Sequence, residues 1–123
     1  VTSVSSGILI NSGHLLENLV FTALRRVSKQ IFYYKTRSGR EVDFIVQQAG
    51  GERMLVQVCE SMADARIRRR EVSALTDAMT ELNLKESFVV TQYESERIDV
   101  ECGTVQVVPA WSFLLSMDGK VNQ

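Results

Sequence analysis

A chain of 123 residues, 45% hydrophobic and 24% charged, is long enough for one domain with a real core and too balanced in composition for a disordered or fibrous polymer. Fourteen Lys and Arg against 15 Asp and Glu leave a formal net charge of −1, which excludes a global positive field drawing the chain to nucleic acid or an anionic membrane while leaving a local basic patch open. No apolar run approaches the roughly 18–20 residues of a membrane helix. Two distant cysteines, Cys59 and Cys102, fit neither a disulfide scaffold nor a metal knuckle and are expected to be free thiols of a cytoplasmic protein.

Residues 1–12 are Ser- and Gly-rich around the apolar patch Ile8-Leu9-Ile10 and are expected to form a linker or lead-in. They lack the basic and long apolar segments of a signal peptide. With no initiating methionine, the sequence is expected to be a piece of a longer protein or to carry an expression remnant. Asn11 or Ser12 is predicted to cap a helix over about 13–28, since either side chain accepts orphan amide protons. In it Leu16, Val20, Ala23 and Val27 recur at helical spacing, with Leu15, Leu19 and Leu24 widening the stripe. Arg25, Arg26 and Lys29 suit its C-terminal dipole.

Three strands are predicted next: 31–36, rich in aromatic and β-branched residues; 40–47 after the Ser38-Gly39 turn; and 53–59 after Gly50-Gly51. A long helix is expected over about 63–82. Ile67, Ala74 and Ala78, extended by Leu75, Met79 and Leu82, form its apolar side, and Arg66, Arg69 and Arg70 lie outside. Ser87 to Thr91 reads as a returning central strand. Residues 98–101 and 104–108 read as a hairpin around Gly103, and Pro109 opens a helix over 110–115. The pattern predicts an α/β domain over 13–116 and a tail over 117–123.

Polar residues interrupt these apolar strands. Side chains two apart share a strand face, so Asp43, Ile45 and Gln47 are predicted to project together, opposite Val42, Phe44 and Val46. On the following strand Leu55, Gln57 and Cys59 share a face. A register that sets Asp43 beside Gln57 would give an oxygen pair on one edge, and Glu17 on the first helix is placed to reach it. Hard oxygen ligands of this kind hold Mg2+ or Mn2+, which polarises a phosphodiester and acidifies a bound water. The chemistry also wants a lysine beside that water. Cys59 is short, weakly acidic and a soft ligand, so it cannot take that role. A structural reading of the same residues also stands: Asp43 in a strand-end ion pair with Lys35 or Arg37, Gln57 hydrogen-bonded across the sheet, and Cys59 filling the core.

Four segments in fixed order carry a resemblance. They are Gly13-His14-Leu15-Leu16-Glu17-Asn18-Leu19-Val20-Phe21; Tyr33 through Val46, with Gly39-Arg40-Glu41-Val42-Asp43 at its centre; Leu55-Val56-Gln57-Val58-Cys59; and Val107-Val108-Pro109-Ala110-Trp111-Ser112-Phe113-Leu114-Leu115. Over about residues 7–115 the chain resembles the C-terminal domain of a prokaryotic family of predicted ATPases. The resemblance implies an N-terminal AAA-type ATPase module as a partner within the same protein. That C-terminal domain is in turn similar to the PD-(D/E)XK restriction-endonuclease-like superfamily, which implies a mixed sheet with flanking helices. It implies that Glu17 is the helix glutamate, Asp43 the hairpin aspartate, Gln57 the second strand ligand and Cys59 the occupant of the lysine position. Glu17, Asp43 and Gln57 would then be the metal ligands and Mg2+ or Mn2+ the cofactor. Lys35, Arg66 and Arg69 are the candidates to replace the lysine; arginine pairs with phosphate but is a poor base.

Arg66, Arg69 and Arg70, with Arg68 beside them, form either a phosphate-binding patch for nucleic acid or a solvated helix face balanced by Asp64, Glu71 and Asp77. His14 is solitary. Trp111 and Phe113 are expected to be core or interdomain anchors. Gly50-Gly51 lacks the lysine and hydroxyl residue of a phosphate loop, so no ATP is expected to bind this segment. Two functions follow: an impaired nuclease-like domain acting in binding or regulation, or a metal-dependent DNA or RNA hydrolase.

Overall fold

The computed structural model describes residues 12–121, with side-chain surroundings for 14–120. Residues 1–11 of the expected lead-in, with the Ile8-Leu9-Ile10 patch and the Asn11 cap, lie outside the described residues, as does the Ser12 side chain, while Ser12 itself is the first residue of the first helix. The elements run α1 (Ser12–Val27), β1 (Ile31–Lys35), β2 (Glu41–Gln47), β3 (Arg53–Val58), α2 (Ala65–Leu82), β4 (Glu86–Thr91), β5 (Glu96–Val100), β6 (Gly103–Pro109) and α3 (Ala110–Val121). The strands form one sheet in the order β1-β2-β3-β4-β6-β5. Its pairs β1–β2, β2–β3 and β5–β6 are antiparallel, while β3–β4 and β4–β6 are parallel.

Helices cover both faces, in an α/β fold. On one face Val20, Ala23 and Leu24 of α1 and Phe113 and Met117 of α3 pack on Phe44, Val46, Met54, Val56 and Val90. On the other, Ala74, Leu75, Ala78 and Met79 of α2 pack on Leu55, Val89, Val105 and Val107. The central strands β3 and β4 are therefore apolar on consecutive residues, such as Met54-Leu55-Val56, because both of their faces are covered.

The predicted elements match with shifted ends, and two differences have physical causes. Helix α3 continues to Val121 through residues expected to be tail. Met117 follows Phe113 by one turn and is almost fully buried, so the core holds the helix beyond its polar stretch. Pro109 closes β6 instead of opening the helix. It lies beyond the last β5 partner, Val107, so its missing N–H deprives that neighbour of nothing.

One expectation about the hairpin is corrected. Ile31 and Phe32 pair with Val46 and Ile45, but Tyr34 and Lys35 pair with Val42 and Glu41. Between these pairs β2 fits two residues, Asp43 and Phe44, opposite Tyr33 alone. The extra residue breaks the alternation. Val42 consequently joins the α2-side core, while Phe44 and Val46 join the opposite one.

Helix α2 is fixed at both ends. Asp64 caps it, accepting hydrogen bonds from the amides of Arg66 (2.8 Å) and Ile67 (3.3 Å), and Asn83 in the left-handed conformation (φ 57°) closes it. Its last turns hold the β1–β2 turn. Tyr34 Oη donates to Glu81 Oε1 (2.7 Å), Arg37 N to Glu81 Oε2 (2.9 Å) and Ser38 Oγ to Asp77 Oδ2 (2.8 Å). Arg40 Nε pairs with the same Asp77 oxygen at 3.0 Å.

Candidate functional site

The β2–β3 ladder runs from Gln47 opposite Arg53 to Phe44 opposite Val56 and then opens. One step further, side chains replace the missing backbone bonds. Gln57 Oε1 accepts from Asp43 N (2.7 Å) and Gln57 Nε2 donates to Glu41 O (3.0 Å). In return Asp43 Oδ2 accepts from Val58 N (2.8 Å). The register that sets Asp43 beside Gln57 is thus present, and the pair stitches a fork between two strands.

A cleft of about 500 Å³ opens over this fork. Glu17 enters from α1, Glu41 and Asp43 from β2, Gln57 from β3, and Arg70 and Glu71 from α2, with Arg40 at the margin. Four carboxylates share a space with two guanidinium groups. Burial pushes the Asp43 carboxyl up to about 6, against the Val58 N–H that favours its charged form; the charges of Glu17, Glu71 and Glu41 push it further up. Burial also raises Glu71, offset by Arg70, whose Nη2 lies 3.2 Å from Glu71 Oε1, and by the Gln57 amide. The Glu41 carboxylate beside the Tyr33 phenol holds it up at about 12.

Of the residues singled out from sequence, Glu17, Asp43, Gln57 and Arg70 line this cleft and Cys59 does not. Cys59 packs against the α2-side core, and its Sγ donates to Ser61 O (3.1 Å). Burial raises its thiol pKa, with Glu71 adding to the effect, so the group at the lysine position is neutral and turned to local structure. Arg66 and Arg69 are exposed and outside the cleft. Lys35 sits opposite Glu41 on β1 and is also outside it. Arg68 is paired with Glu96, and His14 is exposed. Phe113 is a core residue, whereas Trp111 is 65% exposed.

Glu41 lines the cleft without having been singled out, and Glu71 is the second cleft carboxylate that sequence reasoning passed over. Its signal was its position: it falls between Ile67 and Ala74 on the apolar side of α2, where a carboxylate needs a partner.

Asp43 Oδ2 is engaged by Val58 N–H and Gln57 Oε1 by Asp43 N–H. Among the described residues no three His, Cys, Asp or Glu side chains are grouped so as to hold a metal ion. Two of the oxygens expected to hold Mg2+ or Mn2+ thus each accept a backbone N–H. No helix among the described residues is long and apolar enough to cross a membrane.

Fold and site define a three-layer α/β domain with an acidic, arginine-flanked cleft at the open end of a hairpin. The chain belongs to the family described as "Domain of unknown function (DUF4143)", whose model matches residues 12–113. It is similar to the uncharacterized protein MJ1544 of Methanocaldococcus jannaschii, at 31% identity over 115 residues that cover 86% of this chain and 25% of that protein. The chain thus spans about a quarter of the length of that curated relative. No solved structure matches.

Proposed function

We propose that this is a non-catalytic binding or regulatory domain on a restriction-endonuclease-like frame, acting for an ATPase module on its N-terminal side in a longer protein. The observation that carries the reading is how the fork spends its polar atoms. Both amide atoms of Gln57 and an oxygen of Asp43 satisfy strand backbone, and no lysine is among the described residues lining the cleft. The frame is supported by the order helix, three strands, helix, strand, and by the arrangement β1-β2-β3-β4 with β2 reversed. An ATPase neighbour is supported by the sequence resemblance and by a relative far longer than this chain. Leu15, Leu19, Trp111 and Leu115 stand exposed on α1 and α3, and Leu19 and Leu114 border the groove between those helices. That strip offers such a neighbour an apolar seat.

The second reading, metal-dependent DNA or RNA phosphodiester hydrolysis, is favoured by Glu17, Asp43 and Gln57 sharing one cleft. One experiment separates the two. The domain and the longer protein are incubated with single- and double-stranded DNA and RNA in Mg2+ and in Mn2+, with the Asp43→Asn variant in parallel. No Asp43-dependent cleavage is expected. Cutting that needs metal and disappears in the variant overturns the non-catalytic reading.

A further inference from the structure

A cavity larger than the acidic cleft lies at the opposite end of the central strands. It measures about 680 Å³ and is bounded by the β2–β3 turn, the α2–β4 link and the C-terminal half of α3. That volume falls within the roughly 300–1,000 Å³ typical of small-molecule sites. Its inner wall is apolar, formed by Met54, Phe88, Phe113 and Met117. Phe113 and Met117 are almost fully buried residues reaching it from the α1/α3-side core. Thioether chains adapt to an irregular apolar guest, and a phenyl edge or face adds area. The rim is charged: Arg53, Lys85 and Lys120 stand against Glu52 and Glu86, leaving one positive charge in excess.

These cations are only lightly committed. Arg53 spends Nη2 on Leu82 O (3.1 Å), and Lys120 Nζ reaches Gln48 Oε1 at 3.4 Å. No ion pair among the described residues holds Arg53, Lys85 or Lys120. The Lys85 main chain, by contrast, is fixed, because its carbonyl accepts Thr104 N at 2.9 Å where β4 meets β6. The rim lysine therefore rises from a rigid base.

We infer that this cavity binds a small amphipathic carboxylate, its aromatic or alkyl body against Met54, Phe88, Phe113 and Met117 and its anionic head at Lys85 and Lys120. The inference is independent of the role proposed for the acidic cleft, since the two share no lining residue. A neutral apolar guest would leave the cations unused, and a purely ionic one would leave the apolar wall wet.

The test follows methionine methyl signals by NMR in the 123-residue chain titrated with 2-naphthoate and, separately, with neutral 2-naphthalenemethanol. The expected result is a saturable shift of the Met54 and Met117 signals with naphthoate. The Lys85→Gln/Lys120→Gln variant should bind it about fivefold more weakly, the effect of about one exposed ion pair, with an unchanged urea midpoint. Ser116→Trp, an exposed substitution on α3 that fills the cavity, should abolish the shift. Unmoved Met54 and Met117 signals overturn the inference. So does equal binding by the double variant, or an alcohol that binds as tightly as the carboxylate.

Discussion

Replacing Gln57 by Leu separates a structural bridge from a ligand. Gln57 is 3% exposed, and its two amide atoms serve Asp43 N at 2.7 Å and Glu41 O at 3.0 Å. Leucine keeps much of the volume and strands both backbone groups. Each buried polar group left without a partner costs about 1–3 kcal/mol. Because the Glu41 side is exposed, water recovers part of the loss, and the sum comes to about 2–4 kcal/mol out of the roughly 5–15 kcal/mol of a domain. Urea unfolding followed by tryptophan fluorescence and by circular dichroism measures it, the m-value serving as a check that the denatured state is unchanged. Gln57→Glu sharpens the experiment. Its carboxylate can accept from Asp43 N, but only its protonated form can donate to Glu41 O, so this variant should recover stability as the solution is acidified. A loss below about 0.5 kcal/mol for Gln57→Leu, within the ordinary scatter of surface substitutions, refutes the idea that this side chain holds the fork closed.

Further outcomes follow from the same geometry. Asp43 titrates near 6 in the folded protein against an ordinary 3.8, so between those values the folded state holds the extra proton and stability falls as pH rises through that window. Asp43→Asn keeps an oxygen for Val58 N; at pH 7.5 it should gain about 1–2 kcal/mol, after discounting for partial exposure, and the urea midpoints at pH 5 and 7.5 should converge. Asp64→Ala removes the acceptor for two α2 amides and should cost about 1 kcal/mol, read as a thermal midpoint lower by roughly 4 °C. Gly103→Ala would place a Cβ 2.1 Å from Lys85 O and force β6 away from β4; a loss of about 2–4 kcal/mol, or failure to accumulate as folded protein, is expected on expression and urea titration.

Helices and strands were legible because their periodicities differ and both cores reward them. Val20, Leu24, Leu75 and Met79 fall on helical stripes, and the Gly39 and Gly103 turns stand where pattern breaks. The approach of Glu17, Asp43 and Gln57 was legible too, since strand parity and a short turn constrain the hairpin. Three features were not. The register shift at Asp43-Phe44 leaves no mark in composition, because both residues suit a strand. The length of α3 depended on Met117 finding a core that only the folded sheet supplies. Gln57 hydrogen-bonded across the sheet was among the sequence readings, but the place of Glu71 beside it rests on the point where two strands part. That point is set by packing on both faces of the sheet rather than by any residue near it.

The shift in β2 decides which helical layers meet at the sheet margin. Nearer the turn Val42 and Tyr34 pack on the α2 side, while beyond the shift Phe44 and Val46 pack toward α1 and α3 and Ile45 keeps to the α2 side. The acidic cleft is seated where the side chains of β2 change sides, so that one helical layer contributes Glu17 to it and the other Glu71.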